Sequence, residues 1–81
     1  MKVTVKLFAA ARELTGRSEA MLDLSPGADV LAVKNQLALA FPQLAPLTAR
    51  SMIAVNSEYA TNQTRIAEGD EVALIPPVSG G

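Results

Sequence analysis

The sequence of 81 residues closes with Glu71-Val72-Ala73-Leu74-Ile75-Pro76-Pro77-Val78-Ser79-Gly80-Gly81. Within it, Val72 to Ile75 is an apolar run typical of a strand, and we expect the last strand over Glu71 to Ile75. The two prolines that follow cannot extend a hydrogen-bonded ladder, because proline has no backbone N–H. Six extended residues reach about 20 Å, which is long enough to enter another protein's active site. We therefore expect a domain of residues 1–75 and a projecting tail of residues 76–81. The other interpretation of the two glycines is a flexible chain end, or residues left over from an expression vector.

The beginning of the sequence predicts a first strand, from Lys2 to Ala9. Its alternating apolar residues share one face: Val3, Val5 and Leu7. Phe8 falls on the opposite, polar face, where it is either covered by a neighbouring loop or left as an exposed apolar contact. A short helix over Ala9–Leu14 is expected next, because its composition favours a helix and Gly16 follows where a C-terminal cap would lie.

The middle of the chain predicts a second strand and one main helix. Residues Ser18 to Leu24 alternate apolar and polar side chains, as a strand does. Asp29 is a suitable N-cap for a helix from Val30 to about Ala40, which Pro42 ends. The predicted buried stripe of this helix is Val30, Val33, Leu37 and Phe41, broadened by Leu31 and Ala38.

The segment between the main helix and the last strand contains further short elements. Residues Gln43 to Ser51 predict an irregular link, in which Leu44 and Leu47 fill the edge of the core. Two short strands joined by a turn follow: Met52–Val55, Asn56-Ser57 and Glu58–Ala60. A polar connection anchored by Ile66 then leads to the turn Glu68-Gly69-Asp70 and the last strand.

This order of elements predicts an α+β fold of the β-grasp, or ubiquitin-like, type. We expect a mixed sheet of four or five strands with one main helix packed on one face, and with the first and last strands parallel at its centre. Val72 and Leu74 then face the helix, whereas Ala73 and Ile75 share the open face with Phe8. Phe8 and Ile75 would form an exposed apolar patch at the base of the tail, where a partner that recognises the tail would dock.

The composition argues against several function classes. With no cysteine and no histidine, the chain lacks thiolate chemistry, the commonest general base and the commonest metal ligand, so we expect no metal site. Seven basic and eight acidic residues without a basic cluster argue against nucleic acid as a partner. No apolar run approaches the roughly 20 residues that span a membrane, and the start does not resemble a signal peptide. We expect a soluble, cytoplasmic protein with no membrane partner.

Three segments carry a resemblance to a known family: residues 5–16 (VKLFAAARELTG), 54–56 (AVN) and 68–81 (EGDEVALIPPVSGG). In these segments the chain resembles the small subunits of molybdopterin synthase, the sulfur carriers of molybdenum cofactor biosynthesis. The resemblance runs from end to end, and the first and last segments are its most specific parts.

The resemblance implies a mechanism in which Gly81 carries the chemistry. An ATP-using, E1-like adenylyltransferase would convert the α-carboxylate of Gly81 into an acyl-adenylate, and a sulfur donor enzyme would turn it into a thiocarboxylate. The tail, formed by Pro76, Pro77, Val78, Ser79 and Gly80, would then thread into the large catalytic subunit, where sulfur passes to cyclic pyranopterin monophosphate. This chain would bind no cofactor itself and would be a sulfur-donating, non-catalytic subunit of a heterotetramer.

Several interpretations remain open beside that mechanism. Related sulfur carriers for thiamine, for tungsten cofactor or for tRNA thiolation share the fold and the glycine pair. A β-grasp interaction module without chemistry at its C-terminus is the alternative from another class. Arg12 either pairs with an acidic group on a partner or is an ordinary exposed helix residue. Glu68, Asp70 and Glu71 resemble a small acidic site but are interpreted as solvated turn residues. Lys6 is either solvated or borders the interface, and Met21 and Met52 are interpreted as packing residues rather than cofactor contacts.

Overall fold

The computed structural model describes residues 1–77, so the predictions for Val78, Ser79, Gly80 and Gly81 lie outside the described residues. The elements, in chain order, are β1 (Lys2–Leu7), α1 (Ala9–Thr15), β2 (Glu19–Asp23), α2 (Val30–Ala40), a 3-10 turn (Pro42–Leu44), α3 (Ala45–Arg50), β3 (Met52–Val55), β4 (Glu58–Ala60) and β5 (Val72–Ile75). No helix in this part of the chain has both the length and the apolar character needed to cross a membrane.

The strands form one sheet in the order β2-β1-β5-β3-β4. The two central strands, β1 and β5, are parallel, and every other neighbouring pair is antiparallel. Since β1 and β2 are joined through a short helix and the main helix follows β2, this is the β-grasp topology that the sequence predicts. The parallel central pair brings the beginning of the chain next to its last strand.

The core lies between one face of the sheet and helix α2. The inward residues of the two central strands are almost completely buried: Val3, Val5, Leu7, Val72 and Leu74. Each such side chain contributes about 1.5–3 kcal/mol through removal of its apolar surface from water. The predicted facing of β1 and β5 is therefore confirmed, and their other faces remain open.

Helix α2 begins and packs as predicted, with one exception in its stripe. The Asp29 carboxylate accepts a hydrogen bond of 3.0 Å from the Ala32 N–H, which satisfies one of the free donors at the helix start. The buried residues of the helix are Val30, Val33 and Leu37. Leu31 is exposed, contrary to the prediction, because it lies one position beyond Val30 and turns away from the sheet. Phe41 is half-buried beneath the Arg17 guanidinium, 5.8 Å from the ring centre.

The prediction of an irregular link between the main helix and β3 is wrong. The chain there forms the 3-10 turn and α3, each with a proline in its first turn: Pro42 and Pro46. Proline is tolerated at these positions because the first N–H groups of a helix have no partner within it. Pro42 thus follows the end of α2, as predicted, and also begins the 3-10 turn, whereas Pro46 lies in the first turn of α3. Leu44 and Leu47 are buried, as predicted.

The first strand ends at Leu7, two residues earlier than predicted, because Ala9 adopts a left-handed backbone conformation. Its φ of 49° turns the chain out of the sheet and into α1. This conformation costs an alanine about 1 kcal/mol relative to glycine. Ala9, which follows Phe8 in the chain, is therefore in a strained backbone conformation.

We expect Ala9→Gly to raise the free energy of unfolding by about 0.5–1 kcal/mol, because glycine adopts this conformation without a Cβ clash. Ala10→Gly is the matched control, since it places a glycine inside the same helix and should lower stability by about 0.5–1 kcal/mol. Urea unfolding of both variants measures the difference. Equal destabilisation of the two variants would contradict the strain at Ala9.

Candidate partner-binding site

The base of the tail lies at the centre of the sheet. Ile75 is the last residue of β5 and lies directly opposite Met52 of β3. On the other side of β5, Leu74 pairs with Leu7 of β1. The chain therefore leaves the sheet between β1 and β3, with Pro76 half-buried and Pro77 exposed.

An apolar patch surrounds this point on the open face of the sheet. It consists of Phe8, Met52, Tyr59 and Ile75, which we call the tail-base patch. The exposed fractions of the first three side chains are 44%, 50% and 67%, respectively, and Ile75 is half-buried. Ala54 lies on the same face between Tyr59 and Ala73, because it pairs with Tyr59 on one side and with Ala73 on the other. Large aromatic and methionine side chains exposed together are typical of protein interfaces.

The structure brings together the two patch residues that the sequence predicts. Phe8 continues the alternation of β1 with extended φ and ψ of −122° and 158°, so it lies on the face opposite to the buried Leu7. Of the two interpretations of Phe8, the structure shows the exposed one. Ile75 occupies the equivalent position after Leu74 on the neighbouring strand. Their role at a partner interface remains a prediction.

Sequence reasoning missed the other half of the patch. Met52 and Met21 were interpreted as packing residues, but both lie on the open face and are exposed, Met21 to 66%. Strand alternation could have found Met52, because the next residue, Ile53, faces the core. Tyr59 carried no such signal, since β4 has only three residues and none of them is fully buried.

The remainder of the open face is charged. The Lys6 ammonium lies 3.0 Å from a carboxylate oxygen of Glu71, so Lys6 is paired rather than simply solvated. Both side chains border a shallow groove of about 370 Å³, whose other lining residues are Lys2, Thr4, Glu19, Gly69 and Asp70. Charges of both signs line this groove. The open face thus has an apolar half at the tail base and a polar half beside it.

A hydrogen-bond network at Asp70 supports the start of β5. One Asp70 oxygen accepts from the Ala67 N–H at 2.7 Å, and the other accepts from the Asn56 side-chain amide at 3.1 Å. The side-chain oxygen Oδ1 of Asn56 in turn accepts from the Glu71 N–H at 3.0 Å. The hydrogen bond from the Ala67 N–H lowers the pKa of Asp70 below its ordinary value, and the hydrogen bond from the Asn56 side-chain amide adds a smaller shift in the same direction. The network joins the β3–β4 turn to the entry of the tail-bearing strand, and the predicted turn role of Asp70 is confirmed.

We expect Asp70→Asn to lower the melting temperature at neutral pH and to have less effect in acid. The lowered folded-state pKa means that Asp70 stabilises the fold above its unfolded-state pKa, and that this contribution is lost as the pH falls through the folded-state pKa. Glu68→Gln is the matched control, because it removes one negative charge from the same turn. Thermal unfolding at neutral and acidic pH measures both variants. A constant difference between wild type and Asp70→Asn at all pH values would contradict the role of the Asp70 charge.

Two further predicted features can be located. Arg12 is exposed on α1, and its backbone carbonyl accepts the 2.8 Å hydrogen bond from the Gly16 N–H that ends the helix. Gly16 is left-handed, with a φ of 69°, as a C-terminal cap requires.

Among residues 1–77, no three side chains of the types that ligate metals are grouped closely enough to hold an ion.

The chain is similar to proteins of one family. It matches the ThiS family over residues 5–81. The molybdopterin synthase sulfur carrier subunit of Arabidopsis thaliana is 38% identical, with 100% of this chain and 84% of the relative covered. The protein of the same name from Chlamydomonas reinhardtii is 39% identical, with 100% of both covered. Among solved structures, SAMP1 from Haloferax volcanii is similar with a TM-score of 0.88 and 31% identity, covering 100% of both chains.

Proposed function

The chain belongs to the ThiS family, and from this premise we propose that it is the sulfur carrier subunit of a molybdopterin synthase, with Gly81 as the carrier residue. One observation supports the proposal above all others. The central strand β5 ends within the tail-base patch, and the sequence that continues from it closes in Gly80-Gly81. A partner that binds the patch would therefore hold the reactive end of the chain within reach of its own active site.

The first step that we propose is activation of the Gly81 carboxylate. A carboxylate is a poor electrophile, so one of its oxygens attacks the α-phosphorus of ATP in an E1-like adenylyltransferase, and pyrophosphate leaves. Hydrosulfide supplied by a donor enzyme then attacks the acyl carbon and displaces AMP, which yields the thiocarboxylate. A terminal glycine suits both attacks because it places no Cβ beside the acyl carbon.

The second step is transfer of the sulfur inside the large subunit. The thiocarboxylate sulfur adds to an electrophilic carbon of cyclic pyranopterin monophosphate to give a thioester. Water then cleaves the bond between the acyl carbon and the sulfur, so that the sulfur stays on the pterin and Gly81 returns to a carboxylate. Two sulfurs are needed for each dithiolene, so the carrier must leave, be recharged and return. The sequence has no Cys and no His. The catalytic bases and the nucleotide site are therefore assigned to the partners, and this chain acts as a substrate and subunit of a heterotetramer.

The tail-base patch is the proposed docking surface for the large subunit. Phe8, Ile75, Met52 and Tyr59 provide the apolar centre, and the Lys6–Glu71 pair provides part of a polar rim. Such a division is typical of interfaces in which a few aromatic and aliphatic anchors supply most of the binding energy. The six residues of the tail then span up to about 20 Å from the patch to the active site of the partner.

A reconstituted reaction tests the proposal. The chain is incubated with ATP, an adenylating enzyme of the E1-like class and a sulfur donor, then mixed with the large subunit and the pterin substrate. We expect about two molecules of charged carrier to be consumed for each dithiolene formed, because each carrier delivers one sulfur. The same charged chain is also offered a thiazole precursor or tRNA under matched conditions. If it transfers sulfur to one of these and forms no dithiolene, the chain is instead one of the related carriers.

A second candidate function is supported by the similarity to SAMP1, which is also named small archaeal modifier protein 1. The same acyl-adenylate could be attacked by a lysine amine, which would form an amide and release AMP. Incubation with ATP and the adenylating enzyme, but without a sulfur source, separates the two functions. Covalent species of higher mass that survive denaturation and thiols would favour the modifier, whereas a carrier forms none.

A further inference from the structure

The tail-base patch contains an oxidisable sulfur beside the exit of the tail. Met52 is the first residue of β3, lies directly opposite Ile75, and is half exposed. Because the sequence has no cysteine, the thioethers of its three methionines are the only sulfur atoms in its side chains. An oxidant that reaches the open face therefore meets Met52 at the centre of the proposed docking surface.

We propose that Met52 is a modification site, and that its oxidation to the sulfoxide weakens docking of the carrier to the large subunit. The inference rests on the proposed function for the identity of that partner. The oxidant is a peroxide: the thioether sulfur attacks one peroxide oxygen, the O–O bond breaks, and water leaves as the sulfur is oxidised by two electrons. A sulfoxide reductase that uses a dithiol can reverse the step.

The chemistry of the patch explains why this oxidation affects binding. Tyr59 carries the one side-chain hydroxyl of the tail-base patch, and the neighbours of Met52 on the β5 side are apolar: Ile75 lies directly opposite and Ala73 lies diagonally. A sulfoxide oxygen is a strong hydrogen-bond acceptor, and docking would remove it from water without offering a donor from these residues. Burial of an unpaired polar group of this kind weakens binding by about tenfold or more.

The chain contains a matched control in Met21. Met21 is exposed on the same face, but it lies on β2, and β1 and β5 separate it from Met52 on β3. Its sulfur lies 3.5 Å from the Thr4 hydroxyl, at the polar side of the sheet. Oxidation of Met21 thus changes the same chemical group without changing the tail-base patch.

The test compares three proteins: wild type, Met52→Leu and Met21→Leu. Each is treated with hydrogen peroxide, quenched with free methionine, mapped by peptide mass spectrometry and titrated with the large subunit. We expect oxidised wild type and oxidised Met21→Leu to bind about tenfold more weakly than before treatment, and we expect the affinity of Met52→Leu, whatever its value before treatment, not to change on exposure to the oxidant. Treatment with methionine sulfoxide reductase should restore the affinity of wild type. The melting temperatures before and after oxidation serve as the folding control.

The outcomes separate this inference from the proposed function. If untreated wild type does not bind the large subunit, the proposed function fails, and the inference fails with it. If untreated wild type binds and oxidation of Met52 leaves the affinity unchanged, only the inference is overturned. Equal loss of affinity in treated Met52→Leu and treated wild type would assign the effect to another residue and would also overturn it.

Discussion

Deletion of Gly81 will reduce sulfur transfer by at least about 100-fold while changing the melting temperature by less than about 2 °C. The truncated chain still ends in a glycine carboxylate, but its acyl carbon is withdrawn by one residue, or about 3.5 Å. Adenylation and transfer both need close alignment of the reacting atoms, and a shift of this size removes it. Stability should not change, because the buried core ends at Leu74.

Ser79→Ala is the matched control for the deletion, because it alters the tail but keeps its length and both glycines. Charging is measured by the ATP-dependent mass gain, and stability by thermal unfolding of the same samples. A deletion variant that is charged and discharged at the wild-type rate would exclude Gly81 as the carrier. A large fall in melting temperature would instead show that the end of the chain contributes to the folded domain.

Phe8→Asp will weaken binding to the large subunit by about 30-fold or more and will leave the domain as stable as wild type, or more stable. The binding loss follows from placing a charge in the apolar half of the open face. The unusual stability follows from the position of Phe8, which is the N-cap of α1 and makes no capping hydrogen bond with its side chain. Aspartate is a preferred N-cap residue, and its negative charge interacts favourably with the positive end of the helix.

Leu39→Asp is the control for this prediction. Leu39 is 73% exposed, but it lies on α2, which covers the other face of the sheet. Isothermal titration with the large subunit and urea unfolding should show normal binding and near-normal stability for this variant. Parallel losses of binding and stability in Phe8→Asp would assign Phe8 to the core and would remove the basis for the docking surface.

The fold could be predicted largely because its elements have strong local signals. Val3, Val5 and Leu7 define a one-sided strand, and Asp29 marks a helix start that the structure confirms to the residue. The failures lie where one residue type permits two structures. Pro42 ends one helix and begins the next turn, so the sequence indicated a break but not the helical structure that follows it.

The tail-base patch, which is the proposed docking surface, could be predicted only in part, because it is assembled by pairing between distant strands. Phe8 and Ile75 were placed together from the expected parallel pairing of the first and last strands. Alternation along β3 indicates that Met52 faces away from the core, but its place beside Ile75 required the register of β3 against β5, and Tyr59 required the position of β4 beyond β3. Met21 and Met52 were interpreted as packing residues because the composition of a strand does not tell the two faces of a sheet apart.

One consequence of the exposed methionines affects how the carrier is detected. Replacement of one carboxylate oxygen by sulfur adds about 16 Da, which is also the mass that methionine oxidation adds. The intact mass of this chain therefore does not distinguish a charged carrier from an oxidised one. Trypsin resolves the two, because cleavage after Arg65 releases Ile66–Gly81, which contains the glycine pair and no methionine.

The most direct test of the carrier function is the mass of this peptide after incubation with ATP, the adenylating enzyme and a sulfur donor. If Gly81 is the carrier residue, Ile66–Gly81 gains about 16 Da only in the presence of ATP. The charged chain then also reacts with a thiol-alkylating reagent, which the uncharged chain does not, since the sequence has no cysteine. An unchanged peptide mass and no alkylation, under conditions in which another carrier of the family is charged, would contradict this role of Gly81.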